Sequence, residues 1–302
     1  MGRAPEVPGA IVTPGNDGVG LGFPLRCLHA LLLAAQMPAG RLGGRGWSGR
    51  RRVRTLCRVA LSAAVRAARL ERGPRGGRGP GEEWKVEILR VDADQPDAGA
   101  LLAAAEAVLR GGVIAFPTDA LYGLGCSLFD VSAVEMVARL KRRDPSLAVI
   151  SLIPEARQVY GLAMEVTAVA QRLMDKYWPG PLSLIFKAAR IVPPRVRGAG
   201  GTVALRVPRD HLCHKLLDYI GGPVVSSSAN LSGQRPAETA EEVVRIFGNQ
   251  LDLVLDGGPR RGGVSSSLVD VSVPRPRLLR RGTLDLTADL GEFEDLTQER
   301  SG

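Results

Sequence analysis

A break in composition near residue 80 decides which part of this chain can build a core. Residues 1–80 carry 14 Arg, no Lys, and only Glu6, Asp17 and Glu71 as acids, amid Gly-, Ala- and Pro-rich runs such as Gly73 to Pro80. Such a stretch buries too little apolar surface to offset the entropy of ordering it, so disorder is expected, with Arg50 to Arg72 able to form a transient basic helix. An Arg-rich, acid-poor leader resembles an organellar transit peptide, and its poverty in Ser fits a mitochondrial address better than a plastid one. An upstream extension translated from a GC-rich gene would have the same composition, and both readings stand. Of the formal charge of +9 on 302 residues, the first 80 hold +11, which leaves −2 on residues 81–302. A basic surface on the folded part must therefore come from local clustering.

From Trp84 onward the sequence reads as a globular domain over residues 85–290, with 291–302 as a short C-terminal tail. Helices are expected over Asp97 to Arg110, after Asp130, over Val166 to Trp178, over Asp210 to Ile220, and from a Thr239–Glu242 capping box to Phe247. Strands are expected at Val113–Phe116, Leu147–Ile153, Leu182–Phe186, Thr202–Val207, Pro223–Ser226, Leu251–Leu255, Ser266–Val271 and Arg277–Leu279. Interleaved strands and helices give an α/β class around a twisted sheet flanked by helices, and the late run of strands makes that sheet mixed. The longest apolar run, Cys27 to Ala35, is far short of the roughly 18 residues that span a bilayer, so no membrane span is expected. Cys27, Cys57, Cys126 and Cys213 form no C-x-x-C pair, which suits a reducing compartment. A cytoplasmic location follows, or a mitochondrial or plastid one if residues 1–80 act as a transit peptide.

The chain lacks a G-x-x-x-x-G-K-[ST] loop, a G-x-S-x-G elbow and an H-E-x-x-H helix. His211 and His214 lie one helical turn apart with no further His or Cys nearby, so a surface or capping role is expected and no metal site. Four segments carry the chemistry. Phe116 to Gly125 reads as a loop after a buried strand, either an ordinary turn or the kind of strand-end loop that holds ligands in α/β sheets. Lys141-Arg142-Arg143 ends a helix, where it is either a solvated charged face or a phosphate site. Ser226 to Gly233 clusters hydroxyls and the Asn230 amide after an apolar strand, either as a capped turn or as a ligand site. Arg206 sits inside an apolar strand, and burying it demands an anion, from the protein or from a ligand; Leu278-Leu-Arg280-Arg-Gly282 is grouped with it.

Taken in order, these segments resemble the YrdC-like family of threonylcarbamoyl-AMP synthases, from about Val86 to Leu286. The resemblance runs through Phe116-Pro-Thr-Asp-Ala-Leu-Tyr-Gly-Leu-Gly125, Lys141-Arg-Arg143, Trp178-Pro-Gly-Pro-Leu-Ser183, Val203-Ala-Leu-Arg-Val-Pro208, Ser228-Ala-Asn-Leu-Ser-Gly233, Ser266-Ser-Leu-Val-Asp270 and Leu278-Leu-Arg-Arg-Gly282. It stops near the C-terminus, as in the short form of the family. It implies a nucleotidyltransferase that converts L-threonine, bicarbonate or CO2, and ATP into L-threonylcarbamoyl-AMP and pyrophosphate. The product would pass to a separate threonylcarbamoyl transferase that modifies adenosine 37 of tRNA. Carried over by motif, Lys141 and Arg143 would be catalytic and would hold the ATP phosphates with Mg2+. Thr202, Ser228, Asn230 and Arg280 would contact ATP, and Arg206, Ser226 and Ser266 would hold threonine, with Arg206 on its carboxylate. Three departures stand out. Ala120 replaces a usual Thr, Leu212 replaces a usual Pro, and the loop Arg143-Asp-Pro-Ser-Leu147 is about two residues short and lacks a second Lys. The alternative is a non-catalytic module binding double-stranded RNA or tRNA, in which the same cations would track phosphates and binding would be strongly salt-dependent; that role has no need of Ser226, Ser228 and Asn230.

Overall fold

The computed structural model describes residues 86–143, 149–260 and 263–297. The chain divides into two units, Met1–Ala67 and Ala68–Gly302. The first unit, and with it the expected disordered or transit segment, lies outside the described residues, as does 144–148 of the short loop after Arg143. In chain order the elements are β1 (Glu87–Arg90), α1 (Ala98–Leu109), β2 (Ile114–Pro117), β3 (Tyr122–Ser127), α2 (Val131–Leu140), β4 (Ile150–Leu152), α3 (Val159–Leu162), α4 (Ala168–Tyr177) and β5 (Leu182–Lys187). Then come β6 (Thr202–Arg206), α5 (His211–Ile220), β7 (Val224–Ser228), α6 (Ala240–Phe247), β8 (Leu253–Asp256), β9 (Ser267–Asp270), β10 (Arg277–Arg280), α7 (Thr287–Leu290) and β11 (Glu294–Asp295).

The strands join one mixed sheet in the order β1-β8-β2-β3-β7-β4-β6-β5-β9-β10-β11. β1, β8 and β2 run parallel, β3 and β7 follow antiparallel, and the β4–β6, β5–β9 and β10–β11 pairs are again parallel. Side-chain alternation sorts the sheet's two faces. Ile114, Phe116, Val224, Leu253 and Leu255 point to one core with the apolar faces of α1 and α5. Val113, Ala115, Val225 and Val254 point to the other, with Val134 and Val137 of α2, Leu173 of α4 and Val243 and Phe247 of α6. Strands buried on both faces need no polar alternation, which is why β2 reads as an uninterrupted apolar run.

Helix starts are fixed by side-chain caps. Asp97, Asp130, Thr167, Asp210 and Thr239 each accept a backbone N–H three residues on, at 2.9 to 3.2 Å. The reciprocal half of the Thr239–Glu242 box differs from expectation: the Glu242 carboxylate takes the N–H of Glu238 at 2.7 Å. The segment expected as a loop from Phe116 to Gly125 is mostly sheet. Only 118–121 turn, and Tyr122–Ser127 is β3, paired with β2 and β7. Its glycines hid it, since glycine has low strand propensity. They are there for space: a Cβ on Gly125 would overlap Cε1 of Phe116 and meet the carbonyl of Val225 at 3.0 Å. β1 was also not anticipated, because its outer residues are exposed and polar. Within 291–302, expected as a tail, Glu294–Asp295 pairs with β10 and Leu296 donates its N–H to Leu278 at 2.9 Å. Among the described residues no helix is long and apolar enough to cross a membrane.

Gly125→Ala is expected to cost about 1–3 kcal/mol through overpacking against Phe116. Urea unfolding of the variant measures the loss, and adding Phe116→Leu should make the pair less destabilised than the sum of the two single changes.

Candidate active site

The helices that cover β8 and β2 leave a bare stretch of sheet beyond β7, and there a cleft of about 1130 Å³ opens. Its floor follows the two-residue period of the strands. Thr202, Ala204 and Arg206 of β6 face the cleft, while Val203 and Leu205 face the core. On β7 the run Ser226, Ser227 and Ser228 lines it, and Val225 just before that run is core. Seven of the nine residues singled out from sequence line this one cleft: Arg143, Thr202, Arg206, Ser226, Ser228, Ser266 and Arg280.

The other two, Lys141 and Asn230, are buried behind it. Helix α2 ends in a Schellman motif. Arg142 adopts φ 51°, its N–H reaches the carbonyl of Arg139 at 3.0 Å, and the N–H of Arg143 reaches Ala138 at 3.0 Å. Lys141 is the capping residue of that turn, and its ammonium points away from the helix carbonyls into the end of β7. There it donates to the carbonyl oxygen of Ser228, to Asn230 Oδ1 at 2.9 Å and to the Asn230 carbonyl at 3.0 Å. Ser228 Oγ donates to the same Oδ1 at 2.6 Å, and Asn230 Nδ2 closes the loop onto Leu231 and Gln234, both at 2.8 Å. The K-x-R and S-x-N segments are thus one hydrogen-bonded unit. Burial, followed by the neighbouring charge of Arg143, holds the Lys141 ammonium down at about 8.

Arg206 finds a protein anion: its Nη2 donates to Asp119, and its Nε to the carbonyl of Gly180 at 2.8 Å. The Trp178 to Ser183 segment is built to present that carbonyl. Trp178 Nε1 donates to Leu182 at 2.7 Å, and the N–H of Gly180 is tied to Val207 at 2.9 Å. Arg280 wraps Ser266, with Nε on its carbonyl at 2.8 Å and Nη2 on its hydroxyl at 3.2 Å. That hydroxyl also shares a 2.8 Å hydrogen bond with Ser183. Burial, then the positive charges of Arg206 and Arg143, push the Arg280 guanidinium below its ordinary value. Three guanidiniums that repel one another across a cleft make a site for a multiply charged anion. Thr202 donates to the carbonyl of Ala199 at 3.0 Å, at the rim.

Asp119 was not singled out from sequence; the signal was a Thr-Asp pair in a four-residue turn directly after a buried strand. Arg277 and Arg281 also line the cleft and were missed, since they pair with Glu294 and Asp295 of a strand that sequence did not reveal. His211 and His214 lie on α5, and among the described residues no group of three or more His, Cys, Asp or Glu could hold a metal.

Known proteins carry the same framework. A threonylcarbamoyl-AMP synthase of Pyrococcus abyssi is 34% identical over 205 residues, covering 68% of this chain and 56% of its own length. A threonylcarbamoyl-AMP synthase of Nitrosococcus oceani is 37% identical over 161 residues, covering 53% of this chain and 87% of its own. The crystal structure of Pyrococcus abyssi Sua5 complexed with L-threonine superposes with a TM-score of 0.65 at 32% identity, covering 69% of this chain and 62% of that one. This chain therefore spans little more than half the length of the first of these relatives. The Sua5/YciO/YrdC family model, described as "Telomere recombination", matches residues 106–282, which is more than half of the chain. With that match laid over the cleft and its motifs, this chain belongs to the Sua5/YciO/YrdC family.

Proposed function

We propose that this chain is an L-threonylcarbamoyladenylate synthase, a nucleotidyltransferase acting on L-threonine, bicarbonate or CO2, and ATP. The observation that carries the reading is the convergence of Arg143, Arg206 and Arg280 on one cleft whose floor is lined by Thr202, Ser226, Ser228 and Ser266. In the reaction, the ammonium of threonine loses a proton to water, and the free amine captures CO2 as a carbamate with release of a second proton. A carbamate oxygen attacks the α-phosphorus of ATP, the bond to the β-phosphate oxygen breaks, and pyrophosphate leaves. No protein nucleophile takes part, so the protein's work is positioning and charge stabilisation.

On this reading Arg143 and Arg280 balance the triphosphate, and Arg206 faces the carboxylate of threonine. Ser226 and Ser266 flank the amino acid, and Thr202, Ser228 and Asn230 flank the nucleotide. Lys141 keeps Ser228 and Asn230 in register and brings its positive charge to the phosphates from behind. Mg2+ would arrive on the triphosphate of its substrate and rest mostly on phosphate oxygens and water, as this ion usually does. The product fits the supply of threonylcarbamoyl groups for adenosine 37 of tRNA through a separate transferase. The enzyme would work in the cytoplasm, or in a mitochondrion or plastid if residues 1–80 address it there. Binding of double-stranded RNA or tRNA along the same arginines is the second reading, favoured by the local excess of guanidinium groups alone.

Purified full-length protein with ATP, Mg2+, bicarbonate and L-threonine is expected to release pyrophosphate and form threonylcarbamoyl-AMP, detected by mass spectrometry, only when all substrates are present. Lys141→Ala or Arg143→Ala should lower kcat/KM by about 10²-fold or more. Salt-dependent RNA binding without threonine-dependent pyrophosphate release would move the conclusion to the RNA-binding reading.

A pH dependence follows from Lys141. In the free protein its ammonium loses its proton as pH rises through about 8. A triphosphate nearby favours the charged form and raises that value. ATP binding should therefore take up a proton at pH 8.5–9 and little at pH 7, and kcat/KM for ATP should fall above about pH 8. Calorimetry in buffers of different ionisation enthalpy measures the uptake, which Lys141→Met should abolish.

A further inference from the structure

The chemistry of an α-amino acid sets a demand that the residues assigned so far do not meet. Its carboxylate and ammonium are separated by a single carbon, so a site that captures both must hold an acceptor beside its cation, and a carboxylate is the strongest one. Arg206 supplies the cation. Two carboxylates line the cleft among the described residues, Asp119 and Asp270. Asp270 stands opposite Arg277 in the β9–β10 register and spends Oδ1 on the N–H of Ser272 at 2.9 Å. Asp119 touches Arg206 directly.

Asp119 is held in place by the turn that carries it. Thr118 closes the β2–β3 connection on itself, with its N–H and its hydroxyl both donating to the carbonyl of Leu121, at 2.9 and 2.6 Å. The N–H groups of Ala120 and Leu121 each approach Thr118 Oγ1 at 3.3 Å. The turn is backed by Gly263, which lies so close to Ala120 that it has no room for a Cβ. The Asp119 carboxylate therefore projects from a braced turn over the end of β6. Its Oδ2 is on Arg206, which uses a fraction of the roughly four acceptor sites of a carboxylate, and its side chain keeps 22% of its surface exposed, against 10% for Arg206. A charge-assisted hydrogen bond to a ligand ammonium is thus within its capacity.

We propose that Asp119 and Arg206 form a zwitterion clamp, with Arg206 on the carboxylate and Asp119 on the ammonium of L-threonine. The inference rests on the functional reading above and deepens it. Asp119 and Arg206 already pair with each other, so binding exchanges one compensated pair for a four-membered network and leaves no buried charge alone. The clamp recognises the amino-acid backbone and not its side chain. It matters more here because Ala120 offers no hydroxyl beside it.

The test compares the full-length protein with Asp119→Asn and Asp119→Glu. Two ligands are titrated by calorimetry: L-threonine, and (2S,3R)-2,3-dihydroxybutanoate, which has a hydroxyl in place of the ammonium. Asp119→Asn should weaken L-threonine by about tenfold or more, leave the dihydroxy acid and ATP within about twofold, and so erase the wild-type preference for the ammonium ligand. Asp119→Glu, which keeps the charge on a longer arm, should recover part of that preference. Threonine affinity unchanged in Asp119→Asn overturns the clamp alone. Equal weakening of both acids also overturns it, because Asp119 would then act only by holding Arg206, and joint loss of ATP affinity counts the same way. Wild-type protein that binds no L-threonine overturns the functional reading, and the clamp falls with it.

Discussion

A strand can send apolar residues into a core and polar ones into a cleft only where the sheet is covered on one face and bare on the other. This fold depends on that asymmetry. Near β8 and β2 both faces are buried, and the runs 253–255 and 114–116 are apolar throughout. Toward β6, β9 and β10 one face loses its helical cover, and Thr202, Arg206, Asp270 and Arg277 appear at the uncovered positions. Arg206 can be 8% exposed in the middle of a sheet only because its neighbours supply oxygen atoms on that open side.

The site is assembled from pieces distant in sequence, and backbone carbonyls do much of the assembly. Gly180 orients Arg206, Ser266 orients Arg280, and Ser228 and Asn230 orient Lys141. Each cation is thereby fixed by a neutral acceptor, which keeps its charge largely uncompensated toward the cleft. Asp119 is the exception, and its position beside Arg206 makes one corner of the cleft neutral while the Arg280 side stays electropositive. A cleft divided in this way suits a zwitterion at one end and a polyanion at the other.

Much of this was legible in the sequence. Capped helices with an apolar stripe, such as those begun by Asp130 and Asp210, declare themselves because the cap and the stripe are local. Nine candidate residues could be named from motif order, and the cleft gathers seven of them directly. What escaped depended on partners far along the chain. β3 looked like a loop because Gly123 and Gly125 are dictated by Ser226 and Phe116 across the sheet, not by local propensity. β11 is two residues long and exists only because β10 lies beside it. Asp119 could not be told from any turn aspartate until Arg206 was seen next to it. The roles of Lys141 and Asn230 were read as separate contacts, and no sequence spacing would have revealed that they bond to each other.

The Schellman turn at the end of α2 gives the K-x-R spacing a geometric meaning. Lys141, Arg142 and Arg143 are the cap and the two residues after it, and the left-handed Arg142 is what reverses the chain between the other two. The middle side chain is exposed, and what the turn takes from this residue is its left-handed backbone. The two flanking cations are separated by the helix terminus, Lys141 buried and Arg143 lining the cleft. The distance between a buried ammonium and a cleft-lining guanidinium is in this way set by how a helix stops. A residue inserted between them would not stretch a loop; it would unmake the end of the helix.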